Sequence, residues 1–378
     1  MVVFMLSNAT TPLYAVWQQA FGFSAGTLTM VFAAYVPGVL MALLIGGQIA
    51  DRYGRKPVLL PGLFAGLIAC WLFSTAGSPA ILMLARFFAG IATGVTASVG
   101  VAAVVDLGGR HRRRLSSLLA SLAMALGVAF GVAIVGVIAR ILPHPTAFIF
   151  NGGFVLIGIV AFAGALLPLK HFHPPRNNIA NARFSLPRVS SRHRLHIALG
   201  ASVFAPAMTA ASFTLALGPS LLAGLRHEVS PFLAGAMACG MFFSGTVAQL
   251  VLRKRSARVI LLVSAASVFA GMVAMGLAVV TQTQALLVAG ALLAGTAQSL
   301  GQLGGLTLIG LHIGEHERAQ ANALLAIAAY VPAGILPVID GFLVNRIGLT
   351  SGALIFAMML SLLALIGGGF VWFRIAKD

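Results

Sequence analysis

Asp340 stands well inside a long apolar run of this chain, and Arg86 lies within another. Charged groups are costly in such surroundings, so each is a functional candidate by default. A carboxylate held there can load and release a proton, and Arg86 is the candidate counter-charge. Bland readings compete with both. Asp340 could sit at an interface and pair with nearby Arg346. Arg86, about six residues into its run, could snorkel to the surface. A third cluster joins two apolar runs: Gly47-Gln48-Ile49-Ala50-Asp51-Arg52-Tyr53-Gly54-Arg55-Lys56, followed by Pro57. Asp51 ends its helix where the macrodipole disfavours an anion, so it needs Arg52, Arg55 or Lys56 as partners. Gly54 permits a sharp turn, and Pro57 suits the first turn of the next helix.

Composition sets what surrounds these residues. Of 378 residues, 60% are hydrophobic and 8% charged, against about 25% charged in soluble domains. So few charges cannot cover a soluble surface, and the chain reads as an all-α integral membrane protein. The formal net charge of +17 would suit nucleic acid, but the positions of the bases exclude that partner. Of the 24 Lys and Arg, 20 fall in the loops and tail expected on one side, leaving Arg86, Arg140, Arg226 and Arg346. That asymmetry places both termini in the cytoplasm and gives the basic loops anionic lipid as a partner. Of the seven acids, Asp51 and Asp106 fall at cytoplasmic ends, Glu228, Glu315 and Glu317 in loops, and Asp378 at the terminus. Only Asp340 remains inside.

Cys70 and Cys239 lie in separate apolar runs and imply no disulfide framework. His171 and His173 lack a nearby acid or cysteine, so no metal site is expected. His111 reads as a solvated loop residue. The chain carries no G-x-x-x-x-G-K-[ST] loop and no nucleophile–base constellation, so neither ATP, another cofactor nor enzymatic chemistry is expected.

The elements that position the charges are apolar runs of membrane length. The expected spans are the start to about Ala15, then Thr27–Ile49, Val58–Thr75, Ala80–Val105, Leu115–Ala139 and Thr146–Leu167. The second set is His196–Leu217, Pro231–Leu252, Val259–Val280, Ala285–Leu311, Ala321–Val344 and Ser351–Phe373. Span 1 looks short, and its first residues are expected to be missing; nothing at its start resembles a signal peptide. Between the sets, residues 171–194 are rich in Pro, Asn, Ser and Arg and read as a cytoplasmic linker. The expected division is therefore residues 1–170, a linker 171–194, and residues 195–378. An internal echo supports two related sets of six. GQIADRYGRKPVLL near residue 47 matches AQLVLRKRSARVILL near residue 248, with Gln48 opposite Gln249, Arg52 opposite Arg253 and Val58 opposite Val259. Parallel repeats of this kind characterise several transporter folds.

The Gly47–Lys56 cluster closely resembles the loop between spans 2 and 3 of the major facilitator superfamily, G-x-x-x-D-R-x-G-R-[RK]. Arg86, Gly90 and Gly94 resemble its span-4 motif, R-x-x-x-G-x-x-x-G. Gly127, Gly131 and Gly136 resemble part of its span-5 antiporter motif, with Val132 where proline is expected. The resemblance covers nearly the whole chain. It implies twelve helices in two six-helix halves and alternating access for a small solute. It also implies that Gly47, Asp51, Arg52, Gly54, Arg55 and Lys56 form a cytoplasmic gating loop, and that the span-4 and span-5 glycines pack helices.

Tyr14, Tyr35, Asn151, Thr209, Phe213, Gln249, Gln298, Gln302 and Tyr330 are the remaining candidates to line a cavity. Hydrogen bonding between helices is their default role. Met208, Met237 and Met241 are expected to face lipid or to pack. Within transport, the first expectation is proton-coupled export of an amphiphilic compound by a monomer in the cell inner membrane. An uptake symporter or uniporter for a sugar, organic acid or amino acid is the alternative, and a non-transporting sensor or scaffold the second.

Overall fold

In hydrocarbon, every backbone N–H and C=O must find a partner within its own segment, so apolar runs of this length form helices. The computed structural model describes residues 1–107, 109–142, 145–166, 189–226 and 228–375. The side chains of residues 51, 105, 106, 109–114, 117, 118, 192, 315 and 316 lie outside that description. Among the described residues there is no strand. Eleven helical segments are long and apolar enough to cross a membrane. A broken helical segment precedes them: α1 (Val2–Ala9), a 3₁₀ turn (Thr11–Leu13) and α2 (Tyr14–Phe21), closed by Gly22 at φ +64°. It runs past the expected end at Ala15, because no breaker stands before Gly22.

The chain forms two compact units, Met1–Thr10 with Ala34–Leu186, and Thr11–Ala33 with Pro187–Asp378. Thr11–Ala33 thus packs with the later residues. Gly26 N–H donates to Asn345 Oδ1 at 3.3 Å, and Ser220 meets Gln18 at 3.1 Å.

The first unit contains α1, α4 (Tyr35–Met41), α5 (Gly47–Tyr53), α6 (Lys56–Ser74), α7 (Pro79–Val95), α8 (Val101–Leu107), α9 (Gly109–Ile141) and α10 (Pro145–Leu166). Five-residue π turns, Ala42–Gly46 and Thr96–Gly100, join α4 to α5 and α7 to α8. Thr96 Oγ1 and Ser98 Oγ donate to the Ala92 and Gly94 carbonyls at 2.7 and 2.8 Å beside the second. Two loops are shorter than expected. The turn after Asp51 reduces to Gly54 and Arg55, because α5 continues to Tyr53 and α6 starts at Lys56. Arg110–Arg114, with His111, are helical rather than loop, since α9 begins at Gly109 with no breaker behind it. α10 keeps a mostly exposed apolar face, with Phe148, Ile159 and Phe162 outward. In a membrane span that face meets lipid.

The second unit contains the 3₁₀ turn, α2, α3 (Ala25–Ala33), α11 (Arg194–Arg226), α12 (Pro231–Leu252), α13 (Ala257–Thr281), α14 (Gln284–His312), α15 (Glu315–Ile347) and α16 (Leu349–Arg374). α11 is its most buried helix and continues past the expected Leu217, through Pro219, to Arg226. Ser230 and Ser256 cap α12 and α13 by accepting from Leu233 and Val259 N–H. Most of the linker, with His171 and His173, lies outside the described residues; its end is a 3₁₀ turn, Ser191–His193.

Candidate functional site

The first unit buries its charge on α7. Arg86 is 1% exposed. Its Nη1 donates to the Ser7 carbonyl at 2.6 Å and to Thr10 Oγ1 at 3.2 Å, and its guanidinium lies 4.7 Å from the Tyr35 ring centre. Ser7 belongs to the last turn of α1, where free carbonyls and the negative end of the helix dipole favour a cation. Arg86 therefore does not snorkel. It ties α7 to the end of α1 and to the start of α4.

The glycines around it set the spacing. A Cβ at Gly90 would lie 2.2 Å from the Tyr35 carbonyl oxygen, and one at Gly94 would lie 2.6 Å from Ala42 Cβ. On α9, a Cβ at Gly127 would lie 2.7 Å from the Met1 carbonyl, and one at Gly131 would lie 2.4 Å from that of Met5. Gly136 is buried on the same helix. Gly90, Gly94, Gly127 and Gly131 each admit a neighbouring backbone that a side chain would expel.

The loop after α5 is built on Gly54, at φ +90° and ψ 169°, a region essentially closed to other residues. Its N–H donates to Ala50 at 3.0 Å, and the Arg55 carbonyl accepts from Val58 and Leu59. The Arg52 guanidinium is 5.4 Å from the Tyr53 ring centre, and Lys56 Nζ donates to the Ala165 carbonyl. Gly47 opens α5 with nothing near its Cβ position. Asp51 lies on α5, but its side chain is outside the described residues.

The second unit buries Asp340. It is 3% exposed, and neither carboxylate oxygen has a hydrogen-bond partner among the described residues. Arg346, the interfacial partner weighed from the sequence, is exposed. Beside Asp340, a Cβ at Gly341 would lie 2.2 Å from Thr29 Oγ1, so α15 lies flush against α3. One turn on, Asn345 Oδ1 accepts from Gly26 N–H while Nδ2 donates to Ser24 Oγ at 3.1 Å. Ser24 also accepts from Thr27 N–H, so α3 starts with two of its free donors satisfied.

The cavity candidates separate by environment. Tyr14 is fully buried between Trp17 and Phe32, both at 6.3 Å, and Phe213 stacks on Phe356 at 4.5 Å. Thr209 Oγ1 donates to its own helix at Ala205. Gln249 donates to the Ser299 carbonyl at 2.9 Å, and Gln298 Nε2 lies 3.2 Å from Met208 Sδ. These groups bond between or within helices. Tyr35 lies under Arg86, Tyr330 is half-buried, and Asn151 and Gln302 are exposed, Asn151 on the outward face of α10. Met237 and Met241 are buried, so they pack rather than face lipid.

The sequence model of the Major Facilitator Superfamily matches residues 1–300. The chain belongs to that superfamily. The relatives in that superfamily are multi-pass membrane transporters, which are not enzymes. Among solved structures, the nucleoside transporter NupG superposes with a TM-score of 0.75 at 15% identity, covering 99% of this chain and 97% of that one. The xylose transporter XylE from E. coli gives 0.68 at 15% identity, covering 100% and 95%. At that identity the likeness is one of fold. The multidrug resistance protein MdtL of Escherichia coli O81 (strain ED1a) is 30% identical over 182 residues, 44% of either chain. MdtL of Shigella boydii serotype 18 matches to the same extent. The match spans less than half the length of these curated relatives.

Sequence reading passed over Ser24, Gly26, Thr29 and Asn345. Ser24, ahead of an apolar run, carries a readable capping signal. Asn345 carries none, because its partners lie more than three hundred positions away.

Proposed function

We propose that this superfamily member exports amphiphilic compounds in exchange for protons and that Asp340 carries the coupling proton. The observation behind this reading is the Asp340 side chain, buried with both carboxylate oxygens unbonded among the described residues. An isolated buried carboxylate is costly. It is tolerated where it holds a proton or meets a cation, and alternation between the two couples an ion to a cargo. The likeness to proteins named for multidrug resistance supports export over uptake. On this reading the chain works as a monomer in the inner membrane with both termini cytoplasmic, and anionic lipid lies against its basic loops.

The test is dissipation of ΔpH in energised inverted vesicles challenged with cationic drugs, sugars, amino acids and organic acids. Cationic amphiphiles should collapse the gradient with the wild type and not with Asp340→Asn. Equal responses of the two proteins would remove Asp340 from coupling. A response to sugars or amino acids alone would replace export of amphiphiles by another cargo.

A further inference from the structure

Each unit places a base in the first turn of one helix and directs it at the last turn of a helix running beside it in the opposite direction. In the first unit, Lys56 opens α6 and its Nζ donates to the Ala165 carbonyl at the end of α10. In the second, Arg258 lies in the first turn of α13 and is 9% exposed. Its Nη2 donates at 3.0 Å to the Trp372 carbonyl near the end of α16, and its guanidinium lies 4.8 Å from the Trp372 ring centre.

The helices beneath are matched as well. Along α6 and α10, a Cβ at Gly164 would lie 3.8 Å from Leu60, one at Gly153 3.3 Å from Cys70 Sγ, and Phe150 stacks on Phe73 at 4.6 Å. Along α13 and α16, a Cβ at Gly368 would lie 3.1 Å from Ala265 and one at Gly276 3.7 Å from Ala357. Both pairs are antiparallel, with the base at the same end. The internal repeat sets Lys56 opposite Ala257 and Pro57 opposite Arg258. The residue type and the register differ between the units, yet the contact is common to both.

The physical reason lies in the helix end. Carbonyls of the last turn have no intrahelical donor and carry the negative pole of the macrodipole, so a cation stabilises them. We propose that Lys56 and Arg258 are equivalent positioning residues that fasten the ends of α10 and α16 to the starts of α6 and α13. In the first unit the fastening also sets where α10 delivers the chain to the linker and how the turn at Gly54 is presented. Lys56 therefore works on its own unit, in addition to any part the loop plays in gating. None of this depends on the cargo.

Hydrogen–deuterium exchange of the purified chain in lipid nanodiscs tests the pairing. Lys56→Met should accelerate exchange in the last turn of α10 by about two- to fivefold and leave α16 unchanged. Arg258→Met should do the reverse. Lys56→Arg keeps a cationic donor and should exchange like the wild type. If Lys56→Met does not fold, the Arg258 variants still decide, with Arg258→Lys expected between wild type and Arg258→Met. Unchanged exchange at the matching helix end, equal acceleration at both ends, or failure of Lys56→Arg to restore the wild-type rate would overturn the proposal.

Discussion

Arg86 and Asp340 are both buried charges, and their surroundings separate them. Arg86 has a carbonyl, a hydroxyl and an aromatic face around its guanidinium. Arg86→Met removes two charge-assisted hydrogen bonds and a cation–π contact, a loss of about 3 kcal/mol. The purified variant should melt well below the wild type, and Arg86→Lys should recover only part, since an ammonium cannot both lie flat under a ring and fork to two acceptors. Wild-type melting of Arg86→Met would remove Arg86 from holding α1 and α4. Among the described residues Asp340 has no such network, so Asp340→Asn should fold and melt no lower than the wild type while losing coupling.

At the scale of elements, glycine decides how close the helices come. A Cβ at Gly90 meets the Tyr35 carbonyl oxygen, a backbone atom that cannot swing aside. Gly90→Val should therefore separate α4 from α7 and abolish the folded protein, seen as loss of the monodisperse peak in detergent chromatography. A monodisperse, wild-type-like Gly90→Val would contradict the packing. The spacing Arg86-x-x-x-Gly90-x-x-x-Gly94 made this face legible in the sequence, because positions four apart share a helix face. The facing residues were not legible. Gly38 and Tyr35 meet α7 across a loop and a whole span, and the π turn at Ala42–Gly46 has no composition that announces it. Arg110–Arg114 were read as a loop from charge alone, although arginine is a good helix former and nothing there stops a helix.

At the scale of the molecule, most span limits were readable to within a few residues, since length and apolarity in a membrane leave one solution, the helix. What one-dimensional patterning could not show is that Thr11–Ala33 packs with residues far along the chain. That grouping depends on Gly341, Asn345 and Ser220 meeting Thr29, Gly26 and Gln18. The acid of the basic turn, Asp51, belongs to this scale too. Asp51→Asn should insert and fold as the wild type does yet transport poorly, measured as vesicle uptake beside a surface-expression control. Unimpaired transport would remove the turn from gating.

The most direct measurement is proton release from purified protein in weakly buffered detergent when a cationic amphiphile is added. Wild type should release on the order of one proton per molecule, and Asp340→Asn should bind the compound and release none. Equal release from both proteins, or no release from either despite binding, would contradict the assignment of coupling to Asp340.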